Sequence, residues 1–290
     1  MSELLQLVVL GVTVGAIYAM VGVGFVIINN VTGIINFAQG EYLMVSAMTA
    51  TTLTLLEMPL PVTFVAVTAL AAALGALLER TTIAVARGAD IATLILITIG
   101  TSIAMSGIGL LIWGVDPRRY PPFTAGPPVR LGTAVISRQS LWVLAFVAVV
   151  SVALWLFFSR SLAGKAMRAC AMNPVAARLQ GISPRRMSTG AFALSTGIAG
   201  AAGVVLVPLT SASYNMGLPL ALKGFTAAVI GGLASPPGAI AGGFLLGIAE
   251  SLVSGYITSG LKEGLAFAVL FGVLVVRPRG LLGARATERV

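Results

Sequence analysis

Two apolar stretches of this chain are separated by RSLAGKAMRACAMNPVAARLQGISPRR, residues 160–186. We call this stretch the basic segment, because it holds six of the 18 lysines and arginines and no acidic residue. Within it, Asn173 is suited to cap a helix, and Pro174 suits the first helical position, where its missing N–H needs no partner. Gly181 supplies the left-handed residue that ends such a helix. The sequence therefore predicts a short helix with both ends defined.

This predicted short helix, which we call the docking helix, is too short to be stable by itself in water. We expect it to pack through Val175, Ala176 and Leu179, which form an apolar side. Arg178 is expected to stay at the surface. A capped, basic helix between apolar stretches is typical of a docking element.

The composition is that of a polytopic helical membrane protein. Hydrophobic residues make up 58% and charged residues 9% of the chain, whereas soluble domains carry about 25% charged residues. Several apolar runs approach or exceed the roughly 20 residues that cross a bilayer. We therefore predict an all-α membrane protein formed by one domain, residues 1–290. The first run, residues 4–28, lacks a preceding basic region and is expected to be a span rather than a cleaved signal.

Apolar segments follow one another along the whole chain, and we predict about eight or nine membrane segments. Residues 224–233 are few for a crossing, but an even number of crossings is needed if the basic segment and the C-terminal tail lie on the same side. We therefore expect residues 224–233 to cross as half of a broken helix. The predicted segments are residues 4–28, a second one ending near residue 56, 60–78, 92–113, 141–158, 187–209, 224–233, 239–256 and 264–276.

The distribution of basic residues predicts the orientation. Cytoplasmic loops carry an excess of lysine and arginine, so the basic segment and the tail from residue 277 are predicted to be cytoplasmic. The polar loop 79–90 then also lies inside, and the N-terminus outside. The proline-rich loop 115–140 lies outside and is expected to be irregular and rigid.

The sequence contains no recognisable catalytic or metal-binding motif. It has no histidine and one cysteine, Cys170, so His-based sites and an internal disulfide are excluded. Lys165 follows Gly164, but the upstream glycine and the Ser or Thr of a phosphate-binding P-loop are missing. The basic residues lie in loops and in the tail, so no nucleic-acid partner is predicted. We predict a chain that is not an enzyme and needs no cofactor.

The polar break after the first span is the predicted solute path. Polar residues are costly at membrane depth unless they face protein or water, and packing alone does not require them here. If the stretch is helical, Asn36 and Gln39 share one face, and Glu41 does not. The candidate path residues are Asn29, Asn30, Asn36, Gln39 and Glu41.

A second break, residues 234–243, is more simply explained by packing. Its glycines, with Gly247, allow neighbouring helices to approach closely, as do Gly11 and Gly15 in the first span. Glu250 is a lone acid late in a span. It is either a satisfied structural partner or a residue that couples transport to an ion. Cys170 is expected to be an inert small residue.

These stretches resemble the permease subunits of branched-chain amino acid ABC importers, over nearly the whole chain. The basic segment is similar to that family's ATPase-contacting loop, which suggests an ATPase-coupling role for six of its residues. These are Lys165, Arg168, Asn173, Pro174, Arg178 and Gly181. The matching stretches are GAIYAM (15–20), GIINFAQG (33–40), GKAMRA (164–169), ARLQGI (177–182), GFTAAVIGG (224–232) and RPRGL (277–281).

The resemblance implies an importer permease fold in a bacterial-type inner membrane. It implies a second permease subunit, homologous or identical, two ATP-binding subunits that hold the ATP, and an extracytoplasmic solute-binding protein. The family often has histidine where this chain has Gln39, so urea, amides or aromatic acids are alternative solutes to branched-chain amino acids. An ion-gradient-driven carrier or channel using Glu41 or Glu250 is the alternative mechanism, and the docking helix argues against it.

Overall fold

The computed structural model describes residues 2–86, 88–258, 260, 262–277 and 280–282, which form helices and one small hairpin. The elements are α1 (Ser2–Thr32), α2 (Gln39–Leu55), α3 (Leu60–Leu78) continued by a π-helical turn (Glu79–Ile83), α4 (Ile91–Trp113), β1 (Val129–Leu131), β2 (Ala134–Ile136), α5 (Arg138–Arg160), α6 (Leu162–Met172), α7 (Pro174–Leu179), α8 (Pro184–Leu206), α9 (Gly217–Gly231), α10 (Pro236–Tyr256) and α11 (Lys262–Val276).

The predicted class is confirmed. In the described part of the chain, six helices are long and apolar enough to cross a membrane, namely α1, α3, α4, α5, α8 and α10. Two shorter apolar helices are α9 and the part Gly264–Val276 of α11. With the 17-residue α2 as a further helix of the bundle, the count is consistent with the predicted eight or nine segments. Large apolar side chains on α4 and α5, such as Leu111 and Val149, point outward. Such a surface is suited to lipid or to a second membrane subunit.

Helix α1 lies at the centre of the bundle, between α8, α9 and α10. Glycines on α1 and α10 allow the backbones of these two helices to approach closely. A side chain on Gly11 or Gly15 would overlap backbone atoms of α10, and one on Gly243 or Gly247 would overlap the backbone of α1. The prediction that these glycines serve close helix packing is confirmed.

The prediction of a broken helix at residues 224–233 is wrong. Helix α9 begins seven residues earlier, at Gly217, and runs antiparallel to α10. Gly231 packs against Gly238, and Ala227 packs against Gly242. The hydroxyl of Ser235 caps α10 by accepting from the N–H of Gly238 at 3.1 Å. The two helices are therefore a hairpin of neighbours rather than two halves of one span.

The two ends of the bundle are distinguished by their loops. Gln6 near the start of α1 exchanges two hydrogen bonds with the backbone of Val135 in β2, at 2.7 and 3.0 Å. We call this the hairpin end. The other end of α1 packs beside α6 of the basic segment, and we call it the basic end. The N-terminus and the basic segment thus lie at opposite ends, as the predicted topology requires.

The loop 115–140 is more regular than predicted, because β1 and β2 form an antiparallel hairpin within it. It is anchored to the bundle elsewhere. The backbones of Arg118 and Ala212 exchange two hydrogen bonds of 2.8 Å. The side chain of Gln139 accepts from Phe123 N at 3.1 Å and donates to Val205 O at 2.7 Å.

The predicted polar loop 79–90 begins too early. The helical backbone of α3 continues through the π-helical turn to Ile83, and Glu79 is fully buried. The carboxylate of Glu79 accepts from Ser188 at 2.8 Å and from Thr189, both on α8. Glu79 is thus a structural link between α3 and the start of α8. Arg87 and residues 278–279 of the basic tail lie outside the described residues.

Candidate functional site

The polar break between α1 and α2 is shorter than predicted. Asn29 and Asn30 belong to α1, which continues to Thr32, and α2 begins at Gln39. The six residues between them turn back into the bundle, because Gln39 packs over Gly24 of α1. Gly24 is eight residues before the end of α1, which is about 12 Å along the helix. Helix α2 therefore starts deep in the bundle, after a stretch of non-helical backbone.

Asn29 and Asn30 connect the first predicted break to the second. The amide of Asn29 donates to the carbonyl of Leu233 at 3.3 Å, and that of Asn30 donates to Ala234 at 3.1 Å. Both carbonyls belong to the turn between α9 and α10. The two asparagines thus donate hydrogen bonds to carbonyls that have no partner within the helices. A carbonyl without a hydrogen bond in an apolar surrounding would cost free energy.

Asn36 and Gln39 do not share a helix face, because Asn36 precedes α2. The Asn36 Oδ1 atom accepts from the N–H of Ala38 at 3.2 Å, so it stabilises the turn that starts α2. The neighbouring N–H of Phe37 donates to Thr98 of α4 at 3.2 Å. The Asn36 amide nitrogen is buried and has no hydrogen-bond partner among the described residues.

Both polar atoms of the Gln39 side chain bind Ser195 of α8. Gln39 Nε2 donates to the Ser195 carbonyl at 3.2 Å, and Gln39 Oε1 lies 3.0 Å from the Ser195 hydroxyl. The same hydroxyl lies 2.8 Å from the Gly24 carbonyl of α1, so its single hydrogen is shared. Gln39 is completely buried. The residue therefore joins the three central helices α1, α2 and α8.

Glu41 lies in the first turn of α2 and is 1% exposed. Its Oε1 atom accepts from the hydroxyl of Ser102 on α4 at 2.9 Å. The carboxylate packs against Gly217, the first residue of α9, where any side chain would overlap it. Its Oε2 atom has no hydrogen-bond partner among the described residues. Of the five predicted path residues, Asn36 and Glu41 thus keep an unused polar atom.

The structure contains a second polar cluster, formed by Tyr18, Lys223 and Glu250. Glu250 was named from the sequence, but its two partners were not predicted. Lys223 of α9 lies 3.0 Å from Glu250 of α10, and Tyr18 of α1 donates to the same Glu250 oxygen at 2.7 Å. The ammonium of Lys223 also donates to the Tyr18 hydroxyl at 3.1 Å. The available signal was a lysine eight residues before the end of an apolar helix, opposite in charge to a lone acid in the next one.

The short helix predicted within the basic segment is confirmed as α7, and we keep the name docking helix for it. Asn173 Oδ1 accepts from the N–H groups of Val175 and Ala176, both at 3.0 Å, and Pro174 occupies the first turn. Gly181 follows with a φ of 78°. Sequence-local capping thus defines both ends, as predicted.

The packing of the docking helix differs from the prediction. Only Ala177 is buried, whereas Val175 is 69% and Leu179 82% exposed. The predicted apolar side therefore faces away from the bundle. Lys165, Arg168 and Arg178 are also exposed, so the basic segment presents a surface that is both apolar and positively charged.

A cavity of about 690 Å³ lies between the docking helix and the break after α1. Pro174, Arg178 and Gly181 border it on one side, and Thr32 and Gly33 on the other. The docking helix and the break therefore form opposite walls of one cavity.

The sequence matches the family described as "Branched-chain amino acid transport system / permease component" over residues 7–274. The chain belongs to this family. It is 31% identical to the high-affinity branched-chain amino acid transport system permease protein LivH of Escherichia coli (strain K12), covering 97% of this chain and 96% of LivH. It is 33% identical to the corresponding permease protein BraD of Pseudomonas aeruginosa, covering 99% and 98%.

Relatives of this permease extend to the archaeon Methanocaldococcus jannaschii, whose probable branched-chain amino acid transport permease protein LivH is 27% identical over 97% of this chain and 89% of its own. The fold also resembles a solved structure, PsaBC from Streptococcus pneumoniae in complex with Fab. The TM-score is 0.56 at 14% identity, with 96% of this chain and 92% of the other covered. The permease fold predicted from the sequence is confirmed.

Proposed function

We propose that this permease is one of two membrane-spanning subunits of an ATP-driven importer for a branched-chain amino acid or a related small polar solute. The relatives named for branched-chain amino acid transport support this solute class. The exposed docking helix carries the proposal: its apolar residues, Val175 and Leu179, are left uncovered beside Arg178. Exposed apolar residues on a capped, rigid helix are suited to binding another protein.

The proposed partners follow from this surface and from the family. Two ATP-binding subunits dock at the basic end and hold the ATP, so this chain needs no nucleotide site or cofactor of its own. A homologous or identical permease subunit completes the membrane part. A solute-binding protein delivers the solute at the hairpin end. The bilayer is a bacterial-type inner membrane, with the N-terminus outside and the C-terminus in the cytoplasm, in keeping with the excess of basic residues at the basic end.

The proposed solute path passes the place where the starts of α2 and α9 meet α4. Asn36 and Glu41 line it, because each keeps a buried polar atom that has no partner among the described residues. The hydrogen bonds of Asn29, Asn30 and Gln39 stabilise the helices that form its walls. In the described conformation these side chains are sealed within the bundle, so transport requires that α2 and α9 separate.

Uptake in reconstituted vesicles tests the proposal. Vesicles containing the permease with its ATPase subunits should accumulate labelled L-leucine delivered by the solute-binding protein, only when ATP is present. Accumulation by the permease alone under an ion gradient would contradict it and support the gradient-driven carrier.

The docking surface and the path have separate tests. Arg178→Glu should reduce co-purification of the ATPase subunits while the permease still folds, and undiminished co-purification would argue against this surface. Asn36→Ala should lower uptake but leave ATPase docking intact, and wild-type uptake would move the path elsewhere.

A further inference from the structure

A cleft at the hairpin end contains the Lys223 and Glu250 pair described above. It has a volume of about 590 Å³, within the range of small-molecule pockets. Helices α1, α9 and α10 and the segment after α8 form its walls. Leu10, Thr210 and Ser211 are exposed at its margin. The wall is mainly apolar, and its apolar residues include Leu7, Leu10, Val14, Ile17, Leu206 and Leu220.

The cleft and Glu41 lie on different sides of α9. Gly217 faces the Glu41 carboxylate, and Ala221 faces Gly40 of α2. Lys223 is two residues beyond Ala221, which places it about 200° around the helix. The cleft is therefore a separate place from the path proposed above.

The charged groups of the cleft are only partly satisfied by one another. Glu250 Oε2 receives hydrogen bonds from both Lys223 and Tyr18, but Glu250 Oε1 has no partner among the described residues, although Glu250 is 3% exposed. The Lys223 ammonium has three hydrogens, and two polar atoms are within its reach, Tyr18 OH and Glu250 Oε2. One carboxylate oxygen and one ammonium hydrogen thus remain for a ligand.

These charges lie deep in the bundle. Glu250 is six residues before the end of α10, about 9 Å along the helix, and Tyr18 lies near the middle of α1. Ionisable groups at membrane depth are costly and mark solute pathways unless they serve as structural pairs. The attraction within a buried ion pair offsets the desolvation of its charges only when further hydrogen bonds satisfy the remaining polar atoms, and Glu250 Oε1 has no such hydrogen bond among the described residues.

We propose that the cleft binds the zwitterion of an α-amino acid with an apolar side chain. Glu250 Oε1 accepts a hydrogen bond from the ligand's ammonium group, and Lys223 donates to its carboxylate. The apolar side chain packs on the leucine-rich wall. This inference rests on the proposed function, and it adds an entry site at the end where the solute-binding protein is expected to release its solute.

Three probes that share the isobutyl side chain of leucine test this inference. They are L-leucine, 4-methylpentanoate, which lacks the ammonium group, and 3-methylbutylamine, which lacks the carboxylate. Saturation-transfer difference NMR would measure their binding to the assembled transporter in nanodiscs, without the solute-binding protein. L-leucine should bind about tenfold or more tightly than either singly charged probe, since one charge-assisted hydrogen bond is lost in each. Equal binding of the three probes, or no binding of L-leucine, would overturn the inference without any substitution.

Substitutions assign the charges. Glu250→Gln should weaken L-leucine binding about tenfold and leave 4-methylpentanoate binding at least as well as before. Lys223→Met should likewise weaken L-leucine binding about tenfold. Binding of 3-methylbutylamine, which has no carboxylate, should stay at least as strong as before. A purely structural pair would weaken all three probes alike. Glu79→Gln, which changes a buried carboxylate outside the cleft, is the matched control and should leave all three affinities unchanged.

The double variant Lys223→Met/Glu250→Gln removes both charges together, so it leaves no uncompensated ion in the bundle. It should assemble with the ATPase subunits and fail to bind L-leucine; wild-type binding would overturn the site. ATP-driven uptake by the wild-type transporter is measured in parallel. Normal uptake combined with equal binding of the three probes would reject the cleft and leave the proposed function standing, whereas absent uptake would reject the function itself.

Discussion

Leu179 on the docking helix allows the free energy of ATPase binding to be estimated from the structure. Leu179→Ala removes three carbons, each worth about 0.8 kcal/mol when buried. The residue is 82% exposed in the permease, so about 2 kcal/mol of this transfer free energy remains for burial against a partner. A loss of about 2 kcal/mol corresponds to roughly 30-fold weaker binding. Folding should hardly change, because the side chain has few contacts to lose.

The measurement is the dissociation constant of the ATPase subunits from the permease in nanodiscs, together with the thermal unfolding midpoint of the permease alone. Leu111→Ala is the matched control. Leu111 lies on the membrane helix α4 and is 86% exposed, so the same atoms are removed at the same exposure on a different face. It should leave ATPase binding unchanged.

Wild-type affinity of the Leu179→Ala permease would refute the proposed docking role of this side chain, since burial of an exposed leucine against a partner contributes to binding. Equal weakening by Leu111→Ala would also refute it, because the effect would then not belong to the docking helix.

Three further predictions concern orientation and packing. A cysteine at exposed Thr133, in the hairpin turn, should react with an impermeant thiol reagent added to intact cells. A cysteine at exposed Ala176 should react only after the cells are lysed. The opposite labelling pattern would reverse the predicted orientation. Gln39→Ala should remove both hydrogen bonds between α2 and Ser195 and lower the free energy of unfolding by about 1–3 kcal/mol, and an unchanged thermal midpoint would contradict the structural role of Gln39. Gly247→Val should force α1 and α10 apart and abolish a monodisperse size-exclusion peak, so a normal peak would contradict the tight packing.

The sequence predicted the features that depend on local chemistry. The caps of the docking helix are set by residues within the helix itself, so Asn173 and Gly181 were assigned correctly. The bounds of α3 agree with the prediction at both ends, because Pro59 precedes a continuous apolar run. The apolar character of the spans follows from the low content of charge.

The errors arose where distant residues satisfy a polar group. The predicted apolar segment began only after Lys223, at residue 224, yet Lys223 lies within α9 because Glu250, 27 residues later, neutralises it. Glu79 was assigned to a loop for the same reason, and Ser188 and Thr189 of α8 satisfy it. A sequence pattern records the cost of a buried charge but not the partner that offsets it.

The break between α1 and α2 shows a different limit. Its polar residues marked the place correctly, but the depth to which the chain returns depends on Gln39 reaching Ser195 of α8, 156 residues away. Strands of three residues, such as β1, are likewise too short to show the alternation of apolar and polar residues by which a strand is recognised in a sequence. Both features are defined by contacts rather than by composition.

Helix α9 brings these contacts together. Its small residues Gly217 and Ala221 let α2 approach closely, while Lys223 on the other side faces the cleft. Because α9 has only 15 residues, a rotation that changes one side necessarily changes the other. A ligand that rotates α9 when it binds Lys223 would therefore also move Gly217 relative to Glu41. The same short helix would link occupation of the cleft to opening of the path between α2 and α9.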